Sequence, residues 1–181
     1  MFTFLRKLMQ GITHSNHSKA LDLSIYNNTY PKVTQSKEMN EQAYNLLFLI
    51  DTESTDLLVQ LIQRHAGIRI TLNDTKEPQD FSSKQVILKL NVFSDFNGHI
   101  VHLITDQTDL VSGIINSNFH PPKPEHSFPD ISPLEYGSLQ GNLDFWFNWL
   151  WLPYWQNLSK EEQKELAITA DWVEFIEEQI A

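Results

Sequence analysis

The sequence contains no cysteine. Disulfides, cysteine-ligated zinc, iron–sulfur clusters and thiol nucleophiles are therefore excluded together. Glycine is also scarce, with six in 181 residues. They stand at positions 11, 67, 98, 113, 137 and 141, and none builds a Gly-x-Gly-x-x-Gly turn, a Walker A loop or a Gly-x-Ser-x-Gly elbow. Chemistry that announces itself through those glycine frames is missing, and no cofactor is expected. No stretch approaches the ~20 consecutive apolar residues of a membrane span. Arg6 and Lys7 interrupt the apolar character of the first ten residues, so a secretory leader is not expected and the expected location is cytoplasmic. On that expectation the glycosylation sequons beginning at Asn16, Asn27, Asn73 and Asn157 are chance matches.

Positive charge is in short supply. Thirteen Lys and Arg stand against 23 Asp and Glu, a formal charge of −10. Residues 1–40 hold five of the bases and two of the acids, so the rest of the chain carries −13. Such a field repels phosphate backbones, and no nucleic-acid partner is expected. The same field steers a basic protein partner toward the surface, although solubility alone also favours an acidic exterior.

What is present is enough for a packed core: 41% of the residues are hydrophobic and 20% are charged. The pattern predicts an α+β fold with a small mixed or antiparallel sheet, a β-hairpin over 85–105 packed by helices, and a helical C-terminal tail. Residues 1–40 read as an N-terminal helix and polar segment, 41–119 as the α+β core, 120–141 as a proline-rich loop, and 142–181 as an aromatic and acidic tail packed on the core. Within 2–12, Phe2, Leu5, Leu8, Met9 and Ile12 keep helical spacing, which suits docking on the body or, less readily, contact with a membrane surface. Leu21, Leu23 and Ile25 alternate as in a short edge strand. Tyr44–Ile50 reads as a buried strand, with a helix as the close rival. A helix follows, starting near Ser54 and Asp56 and stopping at Gly67. Ile68, Ile70 and Leu72 alternate next, and strand–helix–strand order suggests a parallel pair.

Asn97-Gly98 suits a two-residue turn with positive φ at both positions. It sets Phe96 opposite His99 and Val92 opposite Leu103. A helix is expected from Thr108 or Asp109 to about Ser117. In the tail, Pro153 should break or kink the aromatic segment. A final helix should begin at Ser159 with Glu162 closing a capping box, with Leu166, Thr169 or Ala170, Val173, Ile176 and Ile180 on its apolar stripe and Trp172 and Phe175 widening it.

Candidate sites follow from this layout. The seven histidines supply no metal frame: His99 and His102 lie three apart on a strand and point to opposite faces, and no His-Glu-x-x-His occurs. His14 with His17 and His120 with His126 lie in polar or proline-rich segments, and no metal site is expected. In the expected register Asp95 and His102 are diagonal neighbours on one sheet face, an arrangement in which a carboxylate orients an imidazole as a base. They are the only candidates for catalysis, and no nucleophile accompanies them. The segment 145–155 contains Trp146, Trp149, Trp151 and Trp155; core packing between the tail and the sheet accounts for such a cluster, but there are too many aromatics for one helix face, so some should point into a partner, another chain or the proline-rich loop. Glu174, Glu177 and Glu178 lie nearby in sequence on the acidic helix. The function expected from these features is non-catalytic protein binding, specifically an immunity or antitoxin-type inhibitor that neutralises a basic toxin or enzyme. Its contacts would be the four tryptophans and three glutamates just named. The alternatives are a small hydrolase-like enzyme working through Asp95 and His102, and an aromatic platform for a flat ligand.

Overall fold

The computed structural model describes residues 21–39, 42–72, 77–135 and 139–180. The expected helix at 2–12 lies outside them. The fold is α+β. Strands β1 (Val33–Gln35), β2 (Tyr44–Ile50), β3 (Gln79–Asp80), β4 (Leu88–Asp95) and β5 (Gly98–Thr105) form one sheet in the order β1-β2-β5-β4-β3. Every neighbouring pair is antiparallel. Tyr44–Ile50 is a strand, and the helix that was its close rival is not formed. Pairing on both sides supplies its backbone partners instead, and five of its seven residues are buried.

Alternation gives the sheet two unlike faces. Leu46, Phe48, Leu88, Leu90, Val92, Val101 and Leu103 lie on the first and are all buried. Helices α1 (Thr55–Ala66) and α2 (Thr108–Ile115) cover it with Leu58, Leu61, Ile62, Leu110, Val111 and Ile114. Two contacts fix this side. The Thr55 hydroxyl lies 2.7 Å from His99 Nδ1, and the Tyr44 hydroxyl lies 3.4 Å from that of Thr108. Asp51 starts the chain into α1 by accepting the Ser54 N–H at 2.7 Å, and Gly67 ends α1 at φ +67°. β1 is too short to cover all of β2. Beyond it, the Tyr30 hydroxyl takes over the edge, donating to the Leu49 carbonyl at 2.6 Å and accepting the Leu49 N–H at 3.1 Å. Burial pushes the Tyr30 phenol far above its ordinary value, so it keeps its proton.

The second face carries Asn45, Leu47, Leu49, Asn91, Phe93, Ile100 and His102. A helical run comes over it: α3 aside (Pro124–Ser127), this is α4 (Gly141–Phe145), a π-helical segment (Trp146–Trp151) and α5 (Leu152–Asn157). The chain closes with α6 (Lys160–Glu165) and α7 (Ala170–Ile180), whose Trp172, Phe175 and Ile176 join the same core cluster as the sheet. No helix among the described residues is long and apolar enough to cross a membrane.

Several expectations are corrected. Residues 68–72 form no strand, and the sheet contains no parallel pair; Ile70 is simply buried from an irregular segment. Ser24–Tyr26 is a 3-10 turn, and the edge strand is Val33–Gln35 instead of the Leu21–Ile25 stretch. The last helix is split by Ala167, at φ +48°, into α6 and α7. Trp172, Phe175 and Ile176 of the expected apolar face of α7 are buried, whereas Val173 is half-buried and Ile180 exposed. The capping box at Ser159 is present in both halves: Ser159 Oγ accepts the Glu162 N–H at 3.2 Å, and Glu162 Oε2 accepts the Ser159 N–H at 2.7 Å.

The hairpin turn is also displaced by one residue. Asp95 pairs with Gly98, and the turn residues are Phe96 (φ 52°) and Asn97 (φ 57°). Both strands keep their faces, because the shift moves the pairing by two positions in all. Two forces override the Asn-Gly preference. The Phe96 ring is buried between Phe128 and Phe145, with centroids at 5.4 and 6.4 Å. Gly98 is needed for closeness: a Cβ there would lie 2.4 Å from the Ile50 carbonyl oxygen and 2.9 Å from Pro122 Cγ.

Candidate functional site

The register brings three side chains together in a line across the sheet. His102 on β5 stands opposite Leu47 on β2 and Asn91 on β4. Its Nε2 lies 2.7 Å from Asn45 Oδ1, and Asn45 Nδ2 donates to the Thr34 hydroxyl at 3.1 Å on β1. With the Asn45 amide donating to Thr34, its oxygen accepts, so His102 is the Nε2–H tautomer. Burial pushes the His102 pKa below its usual value, and the Glu38 carboxylate opposes this only in part. The imidazole is therefore neutral near pH 7 and acts as a fixed hydrogen-bonding group. Glu38 itself pairs with Lys89.

The facing wall comes from the helical run, and its shape depends on Pro153. Proline has no N–H, and in a regular α-helix its ring collides with the carbonyl four residues earlier, here that of Trp149. The chain avoids the collision by widening: the Leu152 N–H bonds the Phe147 carbonyl, five residues back. Of the expected break or kink at Pro153, the break does not occur: the helix continues to Asn157. The aromatic residues then sort by side. Trp146, Phe147, Trp151, Tyr154 and Trp155 are buried, with Trp146 and Trp151 stacked at 5.4 Å. Phe145 and Trp149, four apart, face outward at 37% and 60% exposure. Asn148 joins them, its Nδ2 donating to Asp144 at 2.9 Å.

Between the two walls lies a groove of about 660 Å³. Its floor includes Asn45, Leu47, Ile100 and His102, and its helical wall Phe145, Asn148, Trp149 and Pro153. Lys32 is the only formal charge among its lining residues. The site can thus offer aromatic surface with several neutral hydrogen-bonding groups, and none of its described lining residues is a carboxylate.

The sequence-derived candidates fall into three groups. Asp95 and His102 are on the same face but do not meet, which corrects the expected diagonal contact. Asp95 is opposite Gly98, four residues along β5 from His102, or roughly 13 Å. Asp95 Oδ1 instead accepts the Phe96 N–H at 2.9 Å and braces the turn. Trp146, Trp151 and Trp155 are core residues, which removes them from any contact surface of the folded chain; Trp149 alone of the five tryptophans is exposed. Glu174, Glu177 and Glu178 are exposed on α7, as a contact role requires. His99 and His102 point to opposite faces, one toward Thr55 and the other toward Asn45. His120 lies 3.4 Å from Asp51 at the surface. No cluster of three or more potential ligands that could hold a metal ion occurs among the described residues. Sequence reading missed Asn45, Thr34, Asn148 and Phe145. The i, i+4 pairs Asp144–Asn148 and Phe145–Trp149 were visible signals, but the expected break or kink at Pro153 hid them.

With the geometry in view, the fold and groove define a small α+β protein with a neutral, aromatic-rimmed cleft. Comparison with known protein families, curated proteins and solved structures finds no match.

Proposed function

We propose that the chain is a non-catalytic protein-binding protein, and within that class a cytoplasmic inhibitor of the immunity or antitoxin type that neutralises a basic toxin or enzyme. One observation carries the reading: a single tryptophan, 60% exposed, stands at the rim of a groove lined by neutral hydrogen-bonding side chains. An exposed indole beside a cleft is the residue type that dominates binding centres. The acidic body supports the basic partner, since it speeds the approach of a positive surface. The aromatic-platform alternative asks for two parallel exposed indoles, and Trp149 has no exposed indole beside it. The hydrolase alternative asks for an acid–base pair, and Asp95 stands away from His102.

The test begins with affinity capture from the native cell and continues with the purified partner. Trp149→Ala is expected to weaken binding at least about tenfold, as at a binding centre, with no loss of thermal stability. Association is expected to slow as salt rises. A partner bound equally well by the variant, at a rate indifferent to salt, refutes the proposal.

A further inference from the structure

The groove is the first of three adjoining cavities, each sharing lining residues with the next. Lys32 and Pro153 line both the groove and a second hollow of about 350 Å³. Thr29 and Asn157 line both that hollow and a third, of about 470 Å³. Set side by side, the three hollows follow the flank of the aromatic helix as an interrupted furrow. Trp149 stands at one end, and Glu162 and Glu165 stand at the other. From Trp149 to Asn157, the last helical residue and part of the third cavity's lining, the helix advances roughly 12 Å. An extended chain covers that distance in about four residues. A single deep pocket suits a compact ligand, whereas a furrow of this form suits a strand-like segment.

The lining chemistry changes little along the way. Carboxamides recur in each cavity: Asn148 in the first, Asn28 and Gln156 in the second, Asn118 and Asn157 in the third. All five residues are exposed. A carboxamide presents both a donor and an acceptor. A peptide main chain needs the same two at every residue, so this lining matches it without regard to sequence. The ends, by contrast, are unlike. The first offers the Trp149 and Phe145 rings. The third holds two glutamates, and His120 is its only basic lining residue.

Resting on the protein-binding reading above, we propose that the furrow holds an extended peptide segment of the basic partner. An apolar or aromatic side chain of that segment lies against Trp149. A lysine or arginine about four to six residues away lies between Glu162 and Glu165. Charge complementarity fixes the direction of the segment, and the carboxamides hold its backbone.

The experiment is selection of a random displayed peptide library on the full chain, followed by fluorescence anisotropy of the selected peptide. The variants are Trp149→Ala and the double variant Glu162→Gln with Glu165→Gln. Glutamine at 162 still closes the capping box, so α6 keeps its start. The expected consensus pairs an apolar residue with a basic one at the stated spacing. Each variant is expected to bind it about tenfold more weakly. Replacing the basic residue of the peptide by norleucine is expected to cause the same loss on the native chain and none on the double variant. A consensus lacking the basic residue, or a basic peptide held equally by the double variant, overturns the furrow assignment. So does failure to select any peptide while capture of the partner still depends on Trp149, a result that leaves the binding reading standing. Loss of the Trp149 dependence in partner capture defeats that reading itself.

Discussion

Trp146 and Trp149 are three residues apart and have opposite fates, so the same truncation should separate folding from binding. Trp146 is fully buried among Phe128, Phe147, Trp151 and Trp172. Trp146→Ala is expected to cost about 3–5 kcal/mol in chemical denaturation, as for other large-to-small core changes. Trp149→Ala should leave the midpoint within the range of ordinary surface substitutions, ~0.5 kcal/mol. His102 supplies a second prediction. Its folded pKa lies below the usual 6.5, because burial disfavours the charged ring. Above that value both folded and unfolded chains hold it neutral, and the stability it contributes is fully present. As pH falls below 6.5 toward the depressed folded value, the unfolded chain takes the proton first and stability is lost. His102→Gln should flatten the wild-type decline in this window, measured by urea titration at stepped pH. Equal slopes in the two proteins would contradict the assignment.

Among the elements, the hairpin and the aromatic helix show where local rules yield to packing. Gly98 is set against the Ile50 carbonyl and Pro122. Gly98→Ala should therefore destabilise the fold by about 1–3 kcal/mol, the range of overpacked cores; a neutral change would show that the two chains have room to part. Much of the element order was readable: β2, α1, the β4–β5 hairpin, α2 and the capping box at Ser159 each had a periodic or turn signature. The turn position was not, because Asn97-Gly98 satisfies local preference while the burial of Phe96 lies outside any local window. Ile68, Ile70 and Leu72 alternate like a strand, yet alternation does not say whether a sheet edge is free to receive them. The β4 edge is taken by Gln79–Asp80 and the β2 edge by Val33–Gln35. At Pro153 the sequence announced a break or a kink, and a π-turn absorbed the clash while Trp146, Trp151 and Trp155 stay buried on its inner side.

At the scale of the whole molecule, the charge on α7 and the groove beside Trp149 are separate assets. The lining of that groove is nearly neutral, while Asp171, Glu174, Glu177 and Glu178 lie on α7 and line none of the groove. Charge reversal at Glu174, Glu177 and Glu178 should accordingly slow association with a basic partner and leave dissociation nearly unchanged, since peripheral charges act mainly on the encounter. Stopped-flow rates at low and high salt check this; an unchanged rate at low salt removes α7 from the approach path. The site was less legible than the fold. Its floor is assembled from β1, β2 and β5, and only the register of the finished sheet brings Thr34, Asn45 and His102 together. The sorting of the tryptophans has one more consequence. Four indoles are sealed from water and one is open, so a soluble quencher such as iodide reaches chiefly Trp149. The protein thus carries its own unlabelled optical reporter at the mouth of the cleft. Whatever settles there should shield that emission and leave the interior signal as an internal standard.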